Sequence, residues 1–378
     1  MKKTIIKEEK FKQVSIPIEF FWSKYFDLKK QNDNKIPYLT DYLKKDYDFD
    51  PCGFKKLKKP TQTALLYHSY FKFVVDAEKK ANSSDAAQLI ELDNNMFFTS
   101  LLRLMETMFP AKRIEEWCII KCLADKPKES ISIEKLKTAI TKYVDYVNVN
   151  TIIHACRLLR GDFWDSKEHE AFDSIRFNFD DSKISFCTQV QELFENKNAV
   201  RWIKDYIEYA TLRYEKEFGK QNYGFPFLKP YANYTMRNCA LLSNYEKMHS
   251  SFRGSGLISN GQSQYFIFVD LYKADDIREE INYHDKFLGP SRFQWQSPNN
   301  MTQDSERGKD IINNIERNCH LHLFIRKYKE VGGIFQDYIY FGEVYTESGS
   351  VKGNSPVEMI FRIPEVPEKL YNEMISKD

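Results

Sequence analysis

The sequence lacks any apolar run that approaches the roughly 18 residues needed to cross a bilayer. Its first ten residues are too charged to form the apolar segment of a signal peptide. Its seven cysteines are scattered and form no Cys-x-x-Cys pair, so we expect reduced core thiols rather than disulfides or a metal site. These absences predict a soluble, cytoplasmic protein with no membrane partner.

Signatures of common enzyme classes are also lacking. The chain has no Gly-x-x-x-x-Gly-Lys-Ser/Thr loop, no Gly-x-Gly-x-x-Gly turn, no His-Glu-x-x-His pair and no Gly-x-Ser-x-Gly elbow. Asp270 and Lys273 follow an apolar strand pattern, but the Glu-x-Lys that would complete a nuclease site is absent. His320 and His322 would share one face of a strand, yet no carboxylate or thiol completes a metal site. We therefore expect no catalytic residues, metal or cofactor, and keep a metal-dependent nuclease as the weakest alternative.

The charge balance gives little general attraction for nucleic acid. There are 56 Lys and Arg residues against 54 Asp and Glu residues, for a formal net charge of +2. A protein this close to neutral attracts a polyanion only through a local patch. The length of 378 residues corresponds to two or three domains, which we place at residues 1–110, 111–225 and 226–378.

Apolar residues at helical spacing predict an all-helical region over residues 1–110. Residues 111–225 have a more specific order, in which three helical patterns precede two alternating strands around Asp180-Asp181-Ser182, a hairpin-turn signal. These segments are 114–123, 133–144, 151–160, 174–179 and 183–186. Three short helices followed by a hairpin is the order of a winged helix, which we expect within the N-terminal helical part.

The third helix of a winged helix enters the major groove of DNA. Here it would offer Asn150, Thr151, His154 and Arg157, side chains that suit base or phosphate contacts. The two aspartates at the wing tip would repel phosphates. The alternative is therefore a winged helix that binds protein or only packs inside the molecule.

From residue 226 onward the apolar pattern changes to period two. Strands are predicted at 265–271, 320–327, 338–344 and 357–363. They indicate a small, mostly antiparallel, β-barrel-like (PUA-like) domain, so that the predicted fold class of the whole chain is α+β.

A tryptophan between polar residues is the strongest candidate site in this tail. An aromatic platform suits an unstacked or flipped base, and Asn and Gln suit hydrogen bonds to base edges. Neighbouring arginines could contact phosphates. The predicted nucleic-acid-binding residues are Trp295, Gln294, Gln296, Ser297, Asn299, Arg307 and Arg326. The alternative is that Phe293 and Trp295, two apart on a strand, both pack inward.

Several segments of the tail also carry a family resemblance. They are 283–297 (Tyr-His-Asp-Lys-Phe-Leu-Gly-Pro-Ser-Arg-Phe-Gln-Trp-Gln-Ser), Thr302, 305–308 (Ser-Glu-Arg-Gly), 322–326 (His-Leu-Phe-Ile-Arg), 340–342 (Tyr-Phe-Gly) and 360–364 (Ile-Phe-Arg-Ile-Pro). In this order they resemble an uncharacterised C-terminal domain of bacterial superfamily II helicases of the restriction and phage-defence type. Residues 28–73 and 234–237 resemble the regions that precede it. Pro298 departs from the family pattern, and the ATPase motor has no counterpart in the sequence.

The resemblance implies a DNA-processing or defence setting, with the tail as a reader of DNA or of a DNA modification, and it supplies no catalytic residues. The leading hypothesis is a non-catalytic DNA-recognition module, reading a modified base, of a restriction or phage-defence helicase system. The second is an adaptor that docks a helicase ATPase or nuclease subunit. DNA is the expected partner in the first case and the motor or nuclease subunit in the second.

Overall fold

The computed structural model describes residues 18–45, 69–111, 113–165, 177–220, 227–248, 250–261, 263–272, 285–331 and 334–376. The fold is α+β, as predicted, with helices in the N-terminal part and a mixed sheet in the C-terminal part. Several predicted features lie outside the described residues. They are residues 1–17 and 46–68 of the predicted helical region and its family resemblance, residues 174–176 of the hairpin, Lys273 and residues 283–284 of the family signature. Among the residues described, every helix is too short or too polar to traverse a bilayer.

The N-terminal part is built from ten α-helices among the described residues, with three short strands. The helices are α1 (Ile18–Gln31), α2 (Leu39–Lys44), α3 (Tyr70–Lys80), α4 (Ala86–Asp93), α5 (Met96–Met108), α6 (Ile114–Asp125), α7 (Ile133–Ile140), α8 (Val149–Arg160), α9 (Thr188–Leu193) and α10 (Lys197–Phe218). The strands are β1 (Ile131–Ser132), β2 (Phe177–Phe179) and β3 (Lys183–Phe186).

Helix α10 lies at the centre of this part. It begins at Asn196, whose side-chain oxygen accepts hydrogen bonds from the first-turn amides and so satisfies donors that have no partner within the helix. Trp202 on its apolar face packs its ring 4.7 Å from that of Tyr38 and 5.0 Å from that of Phe71. Asp205, one turn on, accepts a hydrogen bond from the Leu39 amide at 2.8 Å. That bond caps α2 from a distance and fixes it against α10.

Helices α6, α7 and α8 and the strands β1, β2 and β3 form one unit in the predicted order. Ser132 caps α7, and Asn148 caps α8 by accepting from the Asn150 amide at 2.9 Å. Gly161, with φ 115°, ends α8 in the left-handed conformation that glycine adopts readily. The β2–β3 hairpin pairs Phe179 with Ile184, and β1 joins its β3 edge. The predicted three helices and hairpin are therefore confirmed.

The tail contains the main sheet and the helices that pack on it. The strands of the tail are β4 (Asn233–Tyr234), β5 (Leu257–Ser259), β6 (Gln264–Tyr272), β7 (Lys286–Gly289), β8 (Arg292–Gln296), β9 (His320–Tyr328), β10 (Glu330–Val331), β11 (Ile334–Phe335), β12 (Tyr338–Thr346) and β13 (Glu358–Arg362). Its helices are α11 (Met236–Leu242), α12 (Glu306–Ile312) and α13 (Glu368–Ile375).

The main sheet runs in the order β5-β6-β9-β12-β13-β8-β7, with β4 paired to β12. Strands β6 and β9 are parallel, because the chain crosses over through the β7–β8 hairpin and α12 before it returns. The other pairs of this sheet are antiparallel. The outer strands β5 and β7 do not pair with each other, so the sheet is open, and the expected barrel-like closure is not observed.

Both faces of the sheet are buried along most of β6, β9 and β12, which explains why β6 and β9 are apolar along most of their length rather than alternating. One face, with Trp295, Leu323 and Phe361, forms a core of its own with α12 and α13. The other face, with Phe268 and Phe324, belongs to the same core as the helical part. The tail is thus packed directly onto the helices.

Candidate functional site

The predicted indole platform lies in the interior of the tail. Trp295 on β8 is only 3% exposed, and its ring stacks on that of Phe361 with 5.4 Å between centroids. Phe293 points to the same face and is fully buried. Because alternate residues of a strand share one face, the alternative in which both rings pack inward describes the structure. The burial contradicts the prediction that Trp295 stacks on a base.

The polar residues around this indole connect strands and loops. The Ser297 hydroxyl accepts from the Val357 amide at 2.9 Å, and the Ser297 amide donates to the Val357 carbonyl at 2.8 Å. The Gln296 side chain donates to Glu358 at 3.2 Å. Gln294 is half-buried, and Asn299 is exposed with its carbonyl bound to the Ser355 hydroxyl at 2.7 Å. The residues of the predicted site therefore hold β8 against β13 and against the loop that precedes β13.

The family motif at residues 302–308 has a structural explanation. Ser305 caps α12, since its hydroxyl accepts from the Gly308 amide at 3.1 Å and donates to the Thr302 carbonyl at 2.6 Å. A Cβ on Gly308 would lie 2.0 Å from the Thr302 carbonyl oxygen. The spacing of serine and glycine is thus what a tight turn into a helix requires.

The two predicted arginines of the tail do not converge on this segment. Arg307 is exposed on α12. Arg326 lies on the opposite face of the sheet, where its Nε donates to Asp270 Oδ1 at 2.6 Å and its guanidinium covers the Tyr338 ring at 4.2 Å. This pairing contradicts a free phosphate-binding role for Arg326. It also occupies the carboxylate of Asp270, the residue that suggested a nuclease.

The two histidines on β9 bind different partners. His322 is buried between the Tyr340 hydroxyl, at 2.9 Å from Nδ1, and Gln264 Oε1, at 2.6 Å from Nε2. Burial lowers the pKa of His322 to about 3, with a further lowering by His320. His320 pairs instead with Glu343 at 2.7 Å. Within the described ranges, no group of three His, Cys, Asp or Glu residues could hold a metal ion.

Two of the predicted helix residues face inward, toward the chain that follows α11. The Thr151 hydroxyl accepts from Asn244 Nδ2 at 2.9 Å. His154 donates from Nε2 to the Tyr245 carbonyl at 2.6 Å and accepts at Nδ1 from Arg113 Nη2 at 3.0 Å. Both side chains are buried, which contradicts their predicted contact with a major groove. Burial, then Arg113, lowers the pKa of His154 to about 3, so the ring is neutral.

Arg113 is the centre of this buried polar cluster. Only 3% exposed, it donates from Nη1 to the Leu241 carbonyl and to Asn244 Oδ1, both at 2.9 Å. Its Nε donates to both carboxylate oxygens of Glu116 at 3.0 Å. Sequence reasoning missed this residue. The Arg113/Glu116 spacing was the one local signal, since the other acceptors, on His154, Leu241 and Asn244, lie at least 41 positions away.

The outward side of α8 carries a stripe of four residues, Asn150, Ile153, Arg157 and Arg160, at spacings of three and four that place them on one helical face. They line a cleft of about 620 Å³ together with Lys247. The structure therefore brings three of the predicted residues to this cleft, Asn150, Arg157 and the buried His154, and adds Ile153, Arg160 and Lys247. We call this region the α8 cleft.

Charges in the α8 cleft are partly balanced. Arg157 pairs with Asp181 of the hairpin at 3.0 Å, and Arg160 pairs with Asp162 while donating to the Phe179 carbonyl at 2.7 Å. Lys247 is exposed and has no carboxylate partner in the described part of the chain. The wing aspartate that was expected to repel phosphates thus holds one of the cations.

Comparison with known families gives two matches. Residues 21–216 match a family described as a domain of unknown function (DUF8090). Residues 228–374 match a second, described as a domain of unknown function (DUF3427). No curated protein matches the chain.

Proposed function

The chain belongs to the DUF8090 family, and because that family is described without a function, we propose from the geometry of the α8 cleft that the protein recognises DNA. In this proposal the α6–β3 unit is a winged helix and α8 is its reading helix. The observation that carries it is the stripe of Asn150, Ile153, Arg157 and Arg160, which faces a polar cleft beside Lys247.

The order of elements supports the winged-helix assignment. Helix α6, strand β1, helices α7 and α8, and the β2–β3 hairpin follow one another, and β1 completes a three-stranded sheet. In such a unit the third helix and the hairpin wing are the parts that contact DNA. Here the hairpin adjoins the outward side of α8, because Arg157 and Arg160 of α8 bond to residues of the hairpin.

Three cations of the α8 cleft can face a polyanion even though the whole chain is nearly neutral and Asp162 and Glu246 also line the cleft. Lys247 supplies an ammonium group that pairs with no carboxylate of the described residues, and Arg157 and Arg160 supply guanidinium groups in part-exposed pairs. Exposed pairs of this kind contribute about 0–1 kcal/mol, so a phosphate can replace the carboxylate at little cost. Asn150 adds an exposed amide that suits the edge of adenine.

The setting we propose is a restriction or phage-defence helicase system. Its support is the resemblance of residues 283–364 to the tail domain of such helicases. A helicase or methyltransferase gene beside this one would support that setting, and an unrelated neighbourhood would argue against it.

We also propose a PUA-like relation for the tail, with an open sheet. Trp295 takes no part in reading a base, because the indole is buried.

Fluorescence anisotropy with labelled DNA tests the proposal. Arg157→Ala should weaken binding about tenfold, since a good side-chain contact to DNA is worth roughly 1–3 kcal/mol. The matched control is Arg292→Ala, which removes an arginine of similar exposure from its pair with Glu347 at 2.9 Å, in the tail. It should leave the affinity unchanged. Equal losses in both variants would reject the α8 cleft as the binding surface.

The Asp181→Asn variant should change DNA affinity in the opposite direction, toward tighter binding. It frees Arg157 and removes one negative charge from the wing, so DNA affinity should rise about threefold, within the range that exposed pairs contribute. Weaker binding by this variant would contradict the proposed docking of DNA at the wing.

The second candidate function is an adaptor that docks a helicase or nuclease subunit. The acidic wing tip, Asp180 and Asp181, and the net charge of +2 favour it. Salt separates the two functions. DNA affinity should fall with a log–log slope of about −0.9 for each phosphate neutralised, whereas docking between mixed surfaces should change little.

A further inference from the structure

Residues 244–248 form a wall along one side of α8. Asn244 donates to Thr151, near the start of the helix, and His154 donates to the Tyr245 carbonyl one turn on. The Met248 amide then donates to the Phe163 carbonyl at 2.7 Å, just beyond the helix end. Three hydrogen bonds thus fix this segment along the length of α8. Arg113 secures its start from beneath through Leu241 and Asn244.

The hairpin wing lies on the other side of the outward stripe. Arg160 donates to the Phe179 carbonyl of β2, and Arg157 reaches Asp181 at the turn. The stripe is therefore the floor of the α8 cleft, with the wing on one side and residues 244–248 on the other. A reading helix that protrudes freely from its domain has no such second wall.

A duplex does not fit over this floor. The major groove of B-DNA is about 12 Å wide, and a helix with its side chains, about 10–12 Å across, already fills it. A segment packed against the side of the helix would meet the phosphates at the rim of the groove. We propose that the ligand of the α8 cleft is an unpaired DNA strand, an inference that rests on the proposed function and narrows it.

The residues of the cleft match the parts of a single strand. Lys247 and Arg157 can follow successive phosphates, and Asn150 can bond the exposed edge of a base. Ile153, half-buried between them, offers an apolar contact to a base or sugar. Tyr146, two residues before Asn148 of the cleft lining, is 64% exposed, and an aromatic ring suits stacking on a base.

The test compares one labelled strand of about twelve nucleotides, a length typical of single-strand sites, with the same sequence as a duplex, using the whole chain. The unpaired strand should bind about tenfold more tightly. Lys247→Ala should weaken its binding several-fold, whereas Glu246→Ala, an exposed neighbour of opposite charge, should not. Tyr146→Leu should weaken it as well, because leucine keeps an apolar side chain but removes the stacking ring.

The outcomes separate this inference from the proposed function. Equal or tighter binding of the duplex, still sensitive to Arg157→Ala, would overturn the single-strand inference and keep DNA recognition by α8. Absence of binding to either form would overturn both. A preference for the unpaired strand that survives Lys247→Ala and Tyr146→Leu together would place the strand elsewhere and overturn the assignment to this cleft.

Discussion

Arg113 connects parts of the chain that are distant in sequence. Its guanidinium bonds to Glu116 in α6, to His154 in α8 and to the Leu241 carbonyl at the end of α11. Every one of these contacts is buried. A buried cation with a full set of acceptors fixes geometry, and removal of it leaves a buried carboxylate without compensation.

Arg113→Ala should therefore destabilise the protein by about 3–5 kcal/mol, the usual effect of breaking a buried pair. Urea unfolding followed by far-UV circular dichroism measures it. Arg292→Ala, which removes an arginine from an exposed pair, should change the free energy of unfolding by less than about 1 kcal/mol. An equally small change in the free energy of unfolding for Arg113→Ala would mean that the buried Arg113 cluster does not hold α6, α8 and α11 together.

His154 should make stability depend on pH. Its pKa is about 3 in the folded chain against 6.5 for a free imidazole. A lowered folded pKa gives stability that is present above about pH 6.5 and is lost as the pH falls. At pH 5 the loss should approach about 2 kcal/mol.

The measurement is the urea midpoint at pH 7 and pH 5 for the wild type and for His154→Gln, which keeps one donor and one acceptor. His322, with a similarly lowered pKa, and Asp205, whose pKa burial raises to about 6, contribute to both proteins. The difference in pH dependence between the wild type and His154→Gln thus isolates the contribution of His154. Identical pH dependence in the two proteins would contradict the lowered pKa of His154.

At the scale of elements, α8 and β8 show what the sequence could and could not predict. The helices α6 to α8 and the β2–β3 hairpin were predicted because caps, turn residues and apolar periodicity are local. The inward or outward direction of Trp295 on β8 depends on its register with β13, which is set across more than sixty residues. The wall beside α8 is likewise formed by residues 244–248, and the sequence of α8 itself does not predict that they pack there.

Strand β12 contains a bend that depends on one glycine. Gly342 has φ 100°, and a Cβ there would lie 2.8 Å from Pro364 Cγ. The register between β12 and β9 shifts at this point and their pairing then continues to Val344, beyond which Tyr345 and Thr346 pair with β13.

Gly342→Ala should lower the free energy of unfolding by about 1–3 kcal/mol, because strain in the backbone and the contact with Pro364 add. Gly349→Ala is the matched control, since it also has a positive φ, 73°, but no atom within 4 Å of its Cβ position. Thermal or urea unfolding compares them. If Gly349→Ala lowers the free energy of unfolding as much as Gly342→Ala does, the contact with Pro364 contributes nothing to the effect.

At the scale of the whole molecule, the two family-matched regions share one core. Phe266, Phe268, Phe324 and Tyr340 of the tail sheet lie in the same apolar cluster as Trp202 of α10. One face of the sheet is therefore covered by α12 and α13, and the part of the other face that holds these residues is covered by α11 and the helical part. Regions that match separate families need not fold separately.

Residues 228–374 expressed alone should aggregate or bind apolar dyes, because their face toward the helical part would be exposed. Co-expression with residues 1–227 should restore a soluble complex. Size-exclusion chromatography measures both results. A monodisperse, folded tail fragment would show that this face is dispensable.

The open sheet leaves two borders, and both are poor templates for stacking one molecule on another. Strand β5 has only three residues. Strand β7 has four, begins with Lys286 and has an irregular pairing between Phe287 and Gly289. Short, charged and kinked borders resist the edge-to-edge growth that leads to fibrils, so this sheet can remain unclosed in a crowded solution without recruiting copies of itself.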